Sequence, residues 1–333
     1  MSETTTVKKK HKKWPWVVLI VILVPIVLLV SLFIYASLQP AVALDYEKKQ
    51  VTGGEIEAKY AQKGSYEIES TLYSGAVSEE TEKNGTVKRD IKAYYPKDTS
   101  KKYPLVIMVN GTGVPYNKYE AIFEHLASWG YVVLGNNFET MWNGIGTSKT
   151  LDFALNNSAL KNRFDENEIA VGGHSQGGEG TYNAVTDFDN GSKYKCLFAL
   201  SATSEAIAKS LDWSHNPGTD KEYGYDLSKI HIPALMMAGT GDWDAGNKDN
   251  PEGICPLYSL NDNYDAYPSG VAVAMARRKD TDHGDVLWRA DPYVTAWLEY
   301  WLKGDEEAGK AFFGENPELA TNKNWQDFKS KEN

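Results

Sequence analysis

The chain has 333 residues, 42% hydrophobic and 24% charged, which are globular values, and a formal net charge of −10. Five lysines and one acid fall in the first 44 residues, so the remainder stands at −14, a balance that argues against nucleic acid or anionic lipid headgroups as partners of the body. The two cysteines, Cys196 and Cys255, are too few for a disulfide framework, and no Cys/His cluster suggests zinc. Whether those two pair is left open by the sequence, although Cys196 opens the apolar run "CLFAL" and reads as a small hydrophobe.

Residues 1–13 are a basic tail, with Lys8, Lys9, Lys10, Lys12 and Lys13. Residues 14–38 contain no charged side chain. At ~1.5 Å per residue, about 22 apolar residues span roughly 33 Å, enough for a bilayer core. Trp14, Trp16 and Tyr35 lie near the ends of the run, where interfacial aromatics are expected. The lysine excess before it places the N-terminus in the cytoplasm and the body outside. The expected arrangement is a single-pass cell-membrane anchor. The rival is a signal peptide cleaved after Ala43, in "Ala41-Val42-Ala43", which would release the body. Residues 39–63 are polar and mixed, and read as a linker; residues 64–333 form the folded domain.

Within that domain, residues 66–73 and 86–95 alternate as antiparallel edge strands joined at "EKNG". The rhythm then changes. "PLVIMVN" (104–110) is a continuous apolar run, as a buried parallel strand would be. "YNKYEAIFEHLASWG" (116–130) is an amphipathic helix, and "YVVLGNN" (131–137) a second buried strand. A helix over 147–160 and a strand over 168–173 follow, then a small-residue helix from about Gly177. Further strands are read at 195–200, 231–239 and 270–278, and a closing helix at 286–304. The polar residues beyond about Ala320 read as a fraying end. This β–α alternation indicates a doubly wound, mostly parallel α/β sheet with helices on both faces.

The strand at 168–173 runs into "Gly173-His174-Ser175-Gln176-Gly177" and then a helix. A serine on a sharp strand-to-helix turn needs small residues two before and two after it, because helix and strand pack closely there; Gly173 and Gly177 meet that need. The turn makes Ser175 a candidate nucleophile and aims the N–H of Gln176 into the same space, at a helix N-terminus that favours negative charge. Such a serine requires a base, an acid and an oxyanion hole. Of six histidines, His11 precedes the membrane run, His125 is mid-helix, His231 opens a strand far from the turn, and His215 lies in a polar loop. His174 belongs to the turn and is expected to point away from the serine. His283, in "DTDHGDV" between the last parallel strand and the last helix, is the candidate base. The acid should follow the strand ending at Gly239, where "GTGDWDAG" offers Asp242, preferred, and Asp244 as the alternative. That stretch is rich in oxygen ligands but lacks the spacing of a calcium loop, so no metal and no cofactor are implied. The second oxyanion donor is expected at Thr112, in "Asn110-Gly111-Thr112-Gly113" after the first parallel strand.

With those residues placed, the chain resembles the α/β-hydrolase superfamily, and more narrowly the bacterial cutinase and polyester-hydrolase group, with chlorophyllase and dienelactone hydrolase as wider relatives. The resemblance rests on "PLVIMVNGTG…IFEHLASWGYVVLGNN", "EIAVGGHSQGGEGTYNA", "IPALMMAGTGD" and "DTDHGD…VTAWLEYWLKGD". It implies the order serine, acid, histidine, and carboxylic-ester hydrolysis through an acyl-enzyme. Two places depart from the group. Where the polyester hydrolases carry a tryptophan after the strand that follows the nucleophile helix, this chain reads "Ser201-Ala202-Thr203". At the oxyanion position, often aromatic in the group, it has Thr112. Trp142, Trp213 and Trp243 are candidates for a different substrate wall, and residues 204–229 for a lid. The expected substrate is an ester, in a surface polymer or lipid. The alternatives are an acyltransferase or amidase on cell-surface polymers, and a non-catalytic surface binding protein on a hydrolase scaffold.

Overall fold

The computed structural model describes residues 42–81, 84–210, 224–249 and 251–332. The expected anchor at 14–38 and the candidate wall residue Trp213 lie outside the described residues. Among the described residues no helix is long and apolar enough to cross a membrane.

Among the described residues nine strands form one sheet in the order β1-β2-β4-β3-β5-β6-β7-β8-β9. They are β1 (Ile68–Thr81), β2 (Gly85–Pro96), β3 (Tyr103–Val109), β4 (Val132–Asn136), β5 (Phe164–His174), β6 (Tyr194–Leu200), β7 (Ala234–Gly239), β8 (Val273–Arg278) and β9 (Trp325–Lys331). The six strands β3 to β8 pair in parallel. β1 and β2 extend one side as the expected antiparallel pair, and β9 closes the other side antiparallel to β8. The order β4-β3-β5 means that the chain steps outward from β3 to β4, then returns across β3 to β5. The carboxyl ends of β3 and β5 therefore flank the switch point, where an open α/β sheet leaves a crevice.

Both faces are covered, so the parallel strands alternate between two cores rather than between core and water. Val106, Met108, Phe198, Leu235 and Met237 face one core, with residues of α2 (Glu120–Ser128) and α5 (Val286–Lys303). Leu105, Ile107, Val171, Leu197 and Met236 face the other, with residues of α3 (Ile145–Asn156) and α4 (Gln176–Thr186). This is why their sequences read as unbroken apolar runs.

The expected N-terminal boundary of the domain and the expected fraying end need correction. Residues 42–63 are not a free linker. Val42 and Tyr46 are buried, and the Tyr46 hydroxyl donates to Asp291 on α5 at 2.7 Å. α1 (Glu55–Tyr60) packs along the same helix, with the Tyr60 hydroxyl donating to Asp305 at 2.6 Å. Glu57, buried at 1% exposure, accepts from Asn322 and from the Trp325 indole. Nor does the chain fray after Ala320, since β9 pairs with β8 through Lys331. Cys196 and Cys255 are both buried and unpaired, Cys255 at 1% exposure despite its loop position.

Candidate active site

β5 ends at His174, and Ser175 adopts φ 59°, ψ −127° before α4 begins at Gln176. This left-handed backbone is uncommon for a residue with a side chain and marks a tight strand-to-helix reversal. The glycines explain how it closes. A Cβ on Gly173 would lie 2.2 Å from the Gly177 carbonyl oxygen, and one on Gly177 would lie 2.3 Å from that of Val109. β5, α4 and the end of β3 thus meet backbone to backbone. The Ser175 N–H donates to Leu200 O at 2.9 Å, which fixes the turn to the end of β6.

His283 follows β8 and lines the same cavity as Ser175. Its Nδ1 lies 2.7 Å from Asp244 Oδ1. Here the structure corrects the preferred acid. Residues 242–245 coil into one helical turn with Gly241 as N-cap, so Asp242 and Asp244 project about 200° apart. Asp244 turns inward and is fully buried, whereas Asp242 is exposed and accepts from the Asn247 amide at 3.2 Å. The other Asp244 oxygen accepts from Ser201 Oγ at 2.5 Å and from the Gly239 N–H at 2.7 Å. Burial alone would raise the Asp244 carboxyl; the donors His283, Ser201 and Gly239 outweigh it and hold the group below the ordinary carboxylate value.

His174, expected to point away from the serine, also lines the cavity, with its ring 4.5 Å from that of His283. Its Nε2 lies 2.9 Å from the His283 carbonyl oxygen, and its Nδ1 lies 3.5 Å from the Tyr119 hydroxyl. Burial and the neighbouring His283 push its pKa down to about 3, so it is a neutral strut. The Tyr119 hydroxyl in turn accepts from the Gly111 N–H at 3.0 Å. Gly111 sits so close that a Cβ there would lie 3.2 Å from Ser175 Cβ. Thr112, next in that loop, is exposed and lines the cavity. Gln176 is buried, and its side chain accepts from the Met141 N–H at 2.7 Å. Its own N–H opens α4, among the first-turn donors that have no partner within a helix.

The cavity holds ≈ 470 Å³, ordinary for a small-molecule site, and its walls are Val114, Ile207, Ile254, Leu287, Thr203 and Trp243. Of the candidate wall tryptophans, Trp243 is at the rim and 68% exposed, while Trp142 is a buried core residue at 2% and is withdrawn from the wall. Ile207 comes from the first turns of the expected lid, of which residues 211–223 lie outside the described residues. A larger cleft of ≈ 670 Å³ lies at the amino-terminal ends of the strands, lined by Lys63, Tyr66, Lys101 and Trp129, and does not reach Ser175.

A doubly wound sheet with a strained serine turn at its switch point, and a histidine–aspartate pair in the loops after later strands, defines an α/β-hydrolase. A family model described as PET hydrolase-like matches residues 58–331, and the chain belongs to that family, whose members are hydrolases acting on esters. No curated protein matches the chain.

Proposed function

We propose that the protein is an exported, membrane-anchored serine hydrolase that cleaves carboxylic esters. The observation that carries this is the convergence of Ser175 and the Asp244–His283 pair on one apolar cavity. In this reading Ser175 Oγ attacks the ester carbonyl and His283 Nε2 takes its proton. Asp244, bonded to Nδ1, fixes the tautomer and stabilises the imidazolium. The N–H groups of Thr112 and Gln176 receive the charge on the carbonyl oxygen. His283 then protonates the departing alcohol, and water, deprotonated by the same imidazole, releases the acid and restores Ser175.

The walls support aliphatic acyl groups over aromatic ones. Val114, Ile207, Ile254 and Leu287 are aliphatic, and the two places where the resemblance leads one to expect an aromatic read Thr112 and Ser201-Ala202-Thr203. Export and anchoring rest on the apolar run at 14–38 and the lysines before it. The burial of Val42 in the core supports an uncleaved junction, since cleavage after Ala43 would remove that contact.

The test is labelling of the full chain with a fluorophosphonate, alongside hydrolysis of p-nitrophenyl esters of rising chain length and of a benzoate ester. The wild type should label and the Ser175→Ala variant should not. Labelling that persists in Ser175→Ala would sink the nucleophile, and faster cleavage of the benzoate would sink the aliphatic preference.

A further inference from the structure

Four non-glycine residues have positive φ among the described residues, and two of them, Ser175 (φ 59°) and Ser201 (φ 44°), stand just past the carboxyl ends of the neighbouring strands β5 and β6. A strained backbone persists only where its surroundings hold it. At Ser201 those surroundings are specific. Its N–H donates to Met237 O on β7 at 2.6 Å, and its hydroxyl donates to Asp244 Oδ2 at 2.5 Å. The preceding residue, Leu200, accepts the N–H of Ser175, and Thr203 donates its N–H to Ser175 O at 3.3 Å. Residues 200–203 therefore touch the candidate nucleophile with their backbone and the candidate acid with one side chain.

We propose that Ser201 is a positioning residue for the acid: its hydroxyl holds one Asp244 oxygen so that the other stays aligned with His283 Nδ1. The proposal rests on the serine-hydrolase reading above. Ser201 is fully buried and does not line the cavity, so it acts through Asp244 rather than on substrate. A carboxylate can rotate about its Cβ–Cγ bond. With Gly239 N–H and Ser201 Oγ both on Oδ2, from β7 and from the end of β6, that rotation is blocked from two directions. The place where relatives carry an aromatic wall thus contains a hydrogen-bond donor two residues before the wall residue Thr203.

The experiment compares wild type, Ser201→Ala, Ser201→Gly, Asp244→Asn and the double variant Ser201→Ala/Asp244→Asn on a p-nitrophenyl ester, with thermal melting of each. Glycine suits the positive φ, so Ser201→Gly removes the hydroxyl without adding backbone strain. The expected result is a fall of about tenfold in kcat with KM unchanged in both single Ser201 variants, the scale of one hydrogen bond to a charged group. The acid limb of the pH–rate profile, which belongs to the Asp244–His283 pair, should move to higher pH. The hydroxyl that helped to hold the Asp244 carboxyl below its ordinary value is gone, so the carboxylate takes up a proton more readily. In the Asp244→Asn background, Ser201→Ala should cost nothing further. Wild-type kcat and an unmoved acid limb in Ser201→Gly, or losses that multiply in the double variant, overturn the proposal while leaving the hydrolase reading intact. A wild type that neither labels with fluorophosphonate nor cleaves the ester overturns both.

Discussion

Exchanging the two candidate acids for asparagine separates them by orders of magnitude. Asp244 Oδ1 lies 2.7 Å from His283 Nδ1, and the carboxylate is fully buried. Two unit charges at that distance, with an effective dielectric constant of about 20, attract by about 6 kcal/mol. That attraction is largely absent while the imidazole is neutral and present once it accepts the serine proton, so its loss falls on the transition state. Asparagine also presents an N–H or a neutral oxygen where the tautomer was fixed by a carboxylate. The loss seen when a triad aspartate becomes asparagine, ~10⁴ in kcat or ~5.5 kcal/mol, is of the same size. Asp244→Asn should therefore lower kcat by about 10³- to 10⁴-fold on p-nitrophenyl butyrate near neutral pH. Asp242, exposed and bonded to Asn247, should tolerate asparagine within about twofold, in the usual range for surface substitutions. Melting temperatures taken alongside exclude unfolding as the cause. A thousandfold loss in Asp242→Asn with Asp244→Asn near wild type would refute the assignment.

Gly177→Ala places a methyl 2.3 Å from Val109 O, a backbone atom that cannot step aside, so a loss of about 3 kcal/mol of stability together with activity is expected from denaturant unfolding. Trp243→Ala, at a rim position 68% exposed, should leave the melting point nearly unchanged while raising KM for long-chain esters several-fold. At His125, burial opposes the charged form, but Asp291, 2.7 Å from Nδ1, and the Gln62 carbonyl, 2.9 Å from Nε2, prevail and raise its pKa. A raised folded-state value means that this contribution to stability is complete below the unfolded imidazole value of ~6.5 and is lost as pH rises through the folded one. The fall in melting temperature between about pH 6 and pH 9 should therefore be smaller in His125→Gln than in wild type.

The central sheet was legible because its strands are buried on both faces. Runs such as "PLVIMVN" carry that burial in their composition, and the glycines of "GGHSQGG" mark where strand, helix and neighbouring strand meet at backbone distance. The edges of the domain were misread for one shared reason. Residues 42–63 and β9 are rich in charged and hydroxyl side chains, and composition does not distinguish a solvated carboxylate from a partnered one. Glu57 is buried because Asn322 and Trp325, more than 260 residues away in sequence, supply its donors. β9 carries polar residues on an outer strand, as edges commonly do, yet contributes Trp325 to the core. Its only sequence signal was the pair Trp325 and Phe328 within an otherwise polar tail.

The candidate site shows a sharper limit. Strand order locates the loop that delivers an acid, but choosing within "Asp242-Trp243-Asp244" needs the local backbone period. In an extended loop both carboxylates would face the same side, and reach alone would decide. In a helical turn they face opposite sides, and only one can meet His283. The turn is set by Gly241 as N-cap and by the chain's return, which pairs Ile254 N–H with Trp243 O and Cys255 N–H with Asp244 O. Those partners lie eleven residues further on, in a stretch without periodicity. The same logic reinterprets "Ser201-Ala202-Thr203". Compared only with relatives, it reads as an aromatic wall removed. Placed against Asp244, its first residue is a hydrogen-bond donor to the buried carboxylate, so a stretch that seemed to speak only of substrate also touches the acid.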